Sequence, residues 1–174
     1  MRRSGVLLPV TSLPSRFGIG TFSKEAYAFV DFLKEAGQKL WQILPLGPTG
    51  YGDSPYQAFS TFAGNPYLID LEELIENGWL TEEECENTDW GGSKSYVDYE
   101  KMYQGRFPLL RKAYHNSHIA ENAEFIAFCE ENDWWLSDYA LFMAIKDSQG
   151  GASFLEWDAP LKLREPEAIR RCRH

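Results

Sequence analysis

Two short apolar runs, separated by one amphipathic stretch, set the architecture of the first quarter of the chain. Gly5 to Val10 reads as a buried strand, and Leu40 to Leu44, closed by Pro45, reads as a second. Between them Ser23 offers a helix N-cap. Ala26, Phe29, Val30 and Leu33 then fall at i, i+3, i+4 and i+7, with Gly37 as the stop. Strand, loop, helix and a fully apolar second strand make a βαβ unit, and such units build parallel sheets covered on both faces. Tyr67 to Leu71 predicts a third short strand. Asp70 with Glu73, and Thr81 with Glu84, show the capping-box spacing of helix starts.

From about Tyr99 the pattern becomes helical. Tyr103, Phe107, Leu110 and Tyr114 share one face, with Pro108 starting or kinking a helix there. Ala120 to Glu131 and Trp134 to Lys146 predict two more amphipathic segments; Leu136, Tyr139, Ala140 and Met143 form the clearest stripe. The organisation is lopsided. Residues 1–80 hold the strand-helix units and residues 81–174 a mainly helical section. A two- or three-stranded parallel sheet leaves edges and a face open, so the expected class is α/β at the start of a larger domain.

Between the second apolar run and Asp70 lies a long segment of Gly, Pro, Ser, Tyr and Phe in which Asp53 is the only charge before Asp70 itself. Loops of this length in compact domains are functional or disordered, and an aromatic, uncharged composition opposes disorder. Hydroxyls and flat rings at the end of a buried strand suit a neutral polar ligand with apolar faces, such as a sugar. Ligands sit at the carboxyl ends of parallel strands, which is where Thr11 to Gly20 and Gly47 to Pro66 both fall. Tyr51 and Tyr56, flanking Asp53-Ser54-Pro55, are the expected stacking residues, whereas Phe59 and Phe62 are assigned to the core. Ser54, Gln57 and Asn65 are able to bond hydroxyls.

Composition narrows the partner. The chain of 174 residues is 44% hydrophobic and 15% aromatic, with a formal charge of −9. That charge argues against nucleic acid or an anionic membrane. The basic end at Arg164, Arg170, Arg171 and Arg173 reads as a solvated helix face. Cys85, Cys129 and Cys172 are odd in number and widely spaced, which excludes a disulfide scaffold or zinc knuckle and fits a reducing, cytoplasmic setting. Val6-Leu7-Leu8 stops at Pro9, too short for a signal sequence.

Most other candidate chemistry has a plain structural explanation. His115 and His118 are three apart but have no acidic or Cys partner at matching spacing, so they read as surface or helix-capping residues. Glu72-Glu73 and Glu82-Glu83-Glu84 suit helix N-termini. Gly18-Ile19-Gly20 is too short for a phosphate loop. Asp53 stands alone, whereas retaining glycoside chemistry needs two carboxylates roughly 5 Å apart. Between Gly52 and Ser54 it reads as a turn-former with a supporting role.

The string WQILPLGPTGYGDSPYQ, with SYVDYEKMY, RFPLLRKAY and WWLSDYALFMAIKDSQGG further on, closely resembles the opening of the amylomaltases, the 4-α-glucanotransferases or disproportionating enzymes of the α-amylase superfamily. The resemblance implies the N-terminal part of a (β/α)8 TIM barrel carrying a helical insertion subdomain. It implies transfer of a segment of an α-1,4-glucan to the 4-hydroxyl of an acceptor through a covalent glycosyl-enzyme, without metal or organic cofactor. The partners it implies are maltooligosaccharides, amylose or starch-type glucans. Ser54 and Tyr56 match residues on the donor side of the groove, with Asp53 in the same loop, and Tyr51 and Tyr103 match a tyrosine pair at a second glucan site. Pro9-Val10 stands where many relatives carry His-Pro. The family's three carboxylate motifs, in Arg-x-Asp-His, Glu-Asp-Leu-Gly and Thr-His-Asp-Asn contexts, do not occur in this sequence. A barrel of this kind takes about 250 residues, so the expectation is a chain with groove elements and no catalytic residue, inactive in isolation. The alternatives are a stand-alone glucan-binding fragment and an interaction module built on the helical half.

Overall fold

The structure is a computed structural model and describes residues 2–50, 52–93 and 95–172. Two compact units make up the chain, Met1–Ile119 and Ala120–His174.

The first unit opens with strand β1, Gly5–Leu7, and strand β2, Leu40–Gln42, paired in parallel with Gly5 opposite Leu40, Val6 opposite Trp41 and Leu7 opposite Gln42. Helix α1, Lys24–Glu35, makes the crossover. Gly5 is required by the pairing, since a Cβ there would lie 2.5 Å from the Leu40 carbonyl oxygen. One face of the pair rests on α1: Trp41 meets Phe29 edge to face at 5.0 Å and packs on Val10, Leu13 and Ala26. The expected burial of both faces is not seen, because Leu7 is 56% and Leu40 50% exposed. The first strand is also shorter than the apolar run. Pro9 ends it, and Val10–Ser12 forms a 3-10 turn.

No third strand follows among the described residues. Pro66–Leu68 is instead a 3-10 turn, because Asn65 caps it through Oδ1, accepting from the Tyr67 N–H at 3.0 Å, and Pro66 occupies its first position. Helix α2, Leu71–Glu76, then starts on Asp70, which accepts from the Glu72 N–H at 3.2 Å. Helix α3, Glu82–Glu86, has both halves of the Thr81–Glu84 capping box.

Helix α4, Tyr99–Ser117, runs unbroken through Pro108. Its buried face is not the aromatic stripe that periodicity favours. Met102, Arg106, Leu109 and Ala113 are buried, one position earlier, while Tyr103 and Tyr114 are about half exposed. Phe17, Leu71, Leu80 and Cys85 meet Leu109 and Ala113 in one core, and Ile19, Tyr67 and Met102 form a second beside it.

In the second unit the two predicted helices are one, α5, Ala123–Ser148. Nothing between Glu131 and Trp134 breaks it; Asn132 bonds back to the Phe128 carbonyl at 2.8 Å and accepts from Trp135 Nε1 at 3.0 Å. Two short helices follow, α6, Ala159–Lys162, and α7, Pro166–Cys172. Leu141, Ile145 and Trp157 form this unit's core. Arg164 and Arg170 are exposed and ion-paired with Asp138 and Glu167 at 2.6 Å. No helix among the described residues is long and apolar enough to cross a membrane.

Candidate functional site

Both loops at the carboxyl ends of β1 and β2 border one cavity of about 130 Å³. Val10 and Thr11 come from the loop after β1. Thr49, Asp53 and Asn65 come from the loop after β2, and Tyr99, the first residue of α4, closes one side. Strand direction alone delivers this placement, since parallel strands present their following loops on the same side.

The long aromatic loop is a folded hairpin. Thr49 and Ala58 form an antiparallel bridge, and the Asn65 N–H donates to the Leu46 carbonyl at 2.8 Å, closing the base. Two consecutive turns build its tip. In the first, the Asp53 N–H donates to the Gly50 carbonyl at 3.1 Å, with Gly52 at φ 93° and Asp53 at φ 54°. In the second, the Gln57 N–H donates to the Ser54 carbonyl at 3.1 Å, and Pro55 sits at the position whose fixed φ favours a turn. Ser54 Oγ accepts from the Tyr56 N–H at 3.4 Å, a bond that Ser residues add to such turns. The tip thereby presents Tyr56, 73% exposed, to solvent.

Of the expected ligand residues, Asp53, Ser54 and Tyr56 are neighbours on this tip, and Asp53 with Pro55 lines the cavity. Tyr51 lies outside the described residues. Asn65 uses its carbonyl oxygen as a cap and also lines the cavity. Phe59 and Phe62 are 40% and 58% exposed, against their assignment to the core. Between them Ser60 Oγ accepts from the Phe62 and Ala63 N–H groups. His115 and His118 are exposed at the end of α4, His118 in the left-handed conformation that ends it. Among the described residues no group of three His, Cys, Asp or Glu side chains is arranged to hold a metal.

Tyr103 reaches the site through a run of rings. It meets Phe107 edge to face at 5.3 Å; Phe107 meets Tyr67 at 5.7 Å, and Tyr67 meets Tyr99 at 6.0 Å. Burial, and then the nearby Asp53 charge, push the Tyr67 phenol up to about 12 and raise that of Tyr99. The Asp53 carboxyl is itself raised by burial. Thr49 Oγ1 is buried with no hydrogen-bond partner among the described residues.

Arg106 has no counterpart in the residues expected from sequence. It is 1% exposed, donating from one terminal nitrogen to the Phe17 carbonyl at 3.4 Å and from the other to the Ile69 carbonyl. Burial pushes its pKa down to about 10, opposed by Asp70. The side chain ties α4 to the loop after β1 and to the segment entering α2. Its signal was its place at i+4 from Met102, on the same face as Leu109 and Ala113.

Comparison with known proteins gives the chain its family. The model of the 4-alpha-glucanotransferase family matches residues 8–174. The 4-alpha-glucanotransferase of Thermus thermophilus is 49% identical over 173 residues, covering 97% of this chain and 34% of the relative. That of Clostridium butyricum is 47% identical, covering 93% and 33%. The structure superposes on the amylomaltase from Streptococcus agalactiae, solved in complex with acarbose, with a TM-score of 0.92 at 46% identity, covering all of this chain and 36% of the other. The chain thus spans about a third of the length of these relatives. Identity of this order, maintained across nearly every residue from the first strand to the last helix, means that the chain belongs to the 4-alpha-glucanotransferase family.

Proposed function

We propose that this chain forms the first βα units and the helical insertion of a 4-alpha-glucanotransferase barrel, and that its role is to hold α-1,4-glucan at the strand-end groove. In this reading residues 1–80 belong to the (β/α)8 barrel and residues 81–174 to the insertion. The observation that carries it is the two-turn hairpin tip, which exposes Tyr56 beside Ser54 at the edge of a cavity located at the carboxyl ends of two parallel strands. An exposed ring offers a face for a glucose ring, and Ser54 and Asp53 offer polar atoms to its hydroxyls. Tyr103 and Tyr51 supply a second glucan site, away from the reacting bond.

The reaction of the whole enzyme transfers a glycosyl segment to the 4-hydroxyl of an acceptor glucan with retention, so it requires a nucleophilic and a proton-donating carboxylate about 5 Å apart. Those carboxylates come from strands other than β1 and β2. The part of the groove described here orients the donor. Three unpaired cysteines suit a cytoplasmic setting. Titration calorimetry of the chain with maltoheptaose tests the reading: millimolar or tighter binding, weakened by Tyr56→Ala, is expected, and no binding refutes it. Incubation with maltotriose should leave the sugar unchanged; release of glucose with longer oligosaccharides would refute the assignment of the carboxylates.

A further inference from the structure

Among the described residues Arg106 is the one charged side chain in the core, at 1% exposure. Its hydrogen-bond partners are main-chain carbonyls. One terminal nitrogen donates to Phe17 at 3.4 Å and the other to Ile69, 89 and 37 residues away in sequence. Its Nε is buried without a partner among the described residues. Burying a cation on these terms gains little stability, because desolvation offsets most of what the hydrogen bonds return. What the guanidinium does supply is direction. Its planar fork meets two acceptors in a fixed geometry, which a lysine ammonium does not reproduce. Two chain segments are thereby held at one register against α4.

That register bears on what α4 carries. Tyr103 lies three residues before Arg106 on the same helix, so a shift of α4 takes its ring along. Ile69 in turn leads back to the hairpin. Its N–H donates to the Pro66 carbonyl at 3.3 Å, and Asn65, which caps that turn, closes the hairpin's base on Leu46. The bond from Arg106 to Ile69 therefore ties the helix bearing Tyr103 to the root of the hairpin bearing Tyr56. Phe107 also meets Tyr67 across this junction at 5.7 Å, but ring pairs accept a range of separations and tolerate sliding. We propose that Arg106 is a positioning residue for Tyr103: its fork pins α4 to the Phe17 and Ile69 carbonyls and fixes where Tyr103 stands relative to the hairpin. The proposal rests on the reading of Tyr103 as part of a second glucan site. The hairpin tip keeps its shape through its own turns and the Thr49–Ala58 bridge, so binding at Tyr56 does not depend on Arg106.

The test uses the full chain with Arg106→Met, Tyr103→Ala and the double variant. Arg106→Lys, which keeps the charge and loses the fork, is a second probe should methionine disturb folding. In Arg106→Met the ring NOE between Tyr103 and Phe107, inside the helix, should persist, and that between Tyr67 and Phe107, across the junction, should weaken. By calorimetry, amylose affinity should fall about three- to tenfold, the worth of one aromatic contact, with maltotriose affinity within about twofold of native. Adding Arg106→Met to Tyr103→Ala should cost no further amylose affinity, because Arg106 acts through Tyr103. Arg106→Lys should show the same split between the two glucans; native amylose affinity in the lysine variant would overturn the role of the fork. Equal losses on both glucans, or multiplying losses in the double variant, would overturn the positioning role. If the native chain binds neither glucan, the glucan reading fails and the NOEs still decide: an undiminished NOE between Tyr67 and Phe107 in both Arg106 variants overturns the proposal.

Discussion

Replacing Arg106 cuts the ties from α4 to the Phe17 and Ile69 carbonyls, and its cost follows from those contacts. Arg106→Met keeps the apolar stem and removes the guanidinium. The Phe17 and Ile69 carbonyls then lose their donor, at about 1–3 kcal/mol each if they stay buried and unpaired. Against this stands the cost of burying the cation. A pKa pushed down to about 10 from 12.5 corresponds to about 3 kcal/mol of lost solvation, recovered when the charge is deleted. The two losses together come to about 2–6 kcal/mol, so the difference centres on a destabilisation of about 1 kcal/mol. Arg106→Ala also opens a cavity between Met102 and Leu109, which adds about 2–4 kcal/mol. Urea melts followed by tryptophan fluorescence, where Trp79 and Trp90 report on the core beside α4, measure both. A methionine variant as stable as the native chain, or more so, would refute the argument that these carbonyls depend on the guanidinium.

Three further outcomes are expected. Thr81→Ala should cost about 1 kcal/mol in the same melts by removing one half of the capping box, and Glu84→Ala should remove the other half together with its ion pair to Lys112. Asp53 has a raised carboxyl in the folded state, so the fold binds its proton more tightly than the unfolded chain does. Its ionisation therefore opposes folding as pH rises from about 3.8 through the folded value, and Asp53→Asn should be at least as stable as the native chain at pH 7 while losing that slope, as read by melts at several pH values. Tyr103→Ala should leave maltotriose binding nearly unchanged and weaken binding of amylose, both measured by calorimetry; equal losses on both ligands would mean that Tyr103 belongs to the same subsite as Tyr56.

The βαβ start was legible because period and punctuation agree there: the Ala26–Phe29–Leu33 stripe, a cap position at Ser23, and Gly37 as the stop. Thr81–Glu84 was legible for the same reason, since a capping box names its own partners. Ser23 shows the limit. It holds the N-cap position, yet its hydroxyl donates to Glu25 at 2.7 Å in place of capping the helix. Tyr67 to Leu71 was read as a strand from its apolar residues, but Asn65-Pro66 and Asp70 are cap signals that override a five-residue run. α4 was found, and its buried face was misplaced, because a charged residue occupies one of the four buried positions. A buried cation is uncommon enough that periodicity assigns it to solvent. Asn132-Asp133 read as a break for the converse reason: polar side chains suggest a loop even where they bond back along one continuous helix.

Within the site, residue chemistry was more legible than depth. Tyr56, Ser54 and Asp53 could be singled out because they interrupt an uncharged aromatic loop, but the backbone decides that Tyr56 stands 73% exposed while Asp53 lines the cavity. That distinction bears on affinity. A tyrosine on a free loop would lose conformational freedom on meeting sugar, and each ordered side chain costs about 0.5–1.5 kcal/mol on binding. Here the cost is largely met on folding: Pro55 fixes one turn, the Asp53 N–H closes the other, and the Thr49–Ala58 bridge joins their ends. In the proposed barrel, β1 and β2 leave the two carboxylates to other strands and present a pre-ordered ring to the glucan. On the glucan-binding reading proposed above, the residues of this chain act on where the glucan rests, and substitutions in the hairpin should change how tightly and in what register it is held before they change the chemistry that follows.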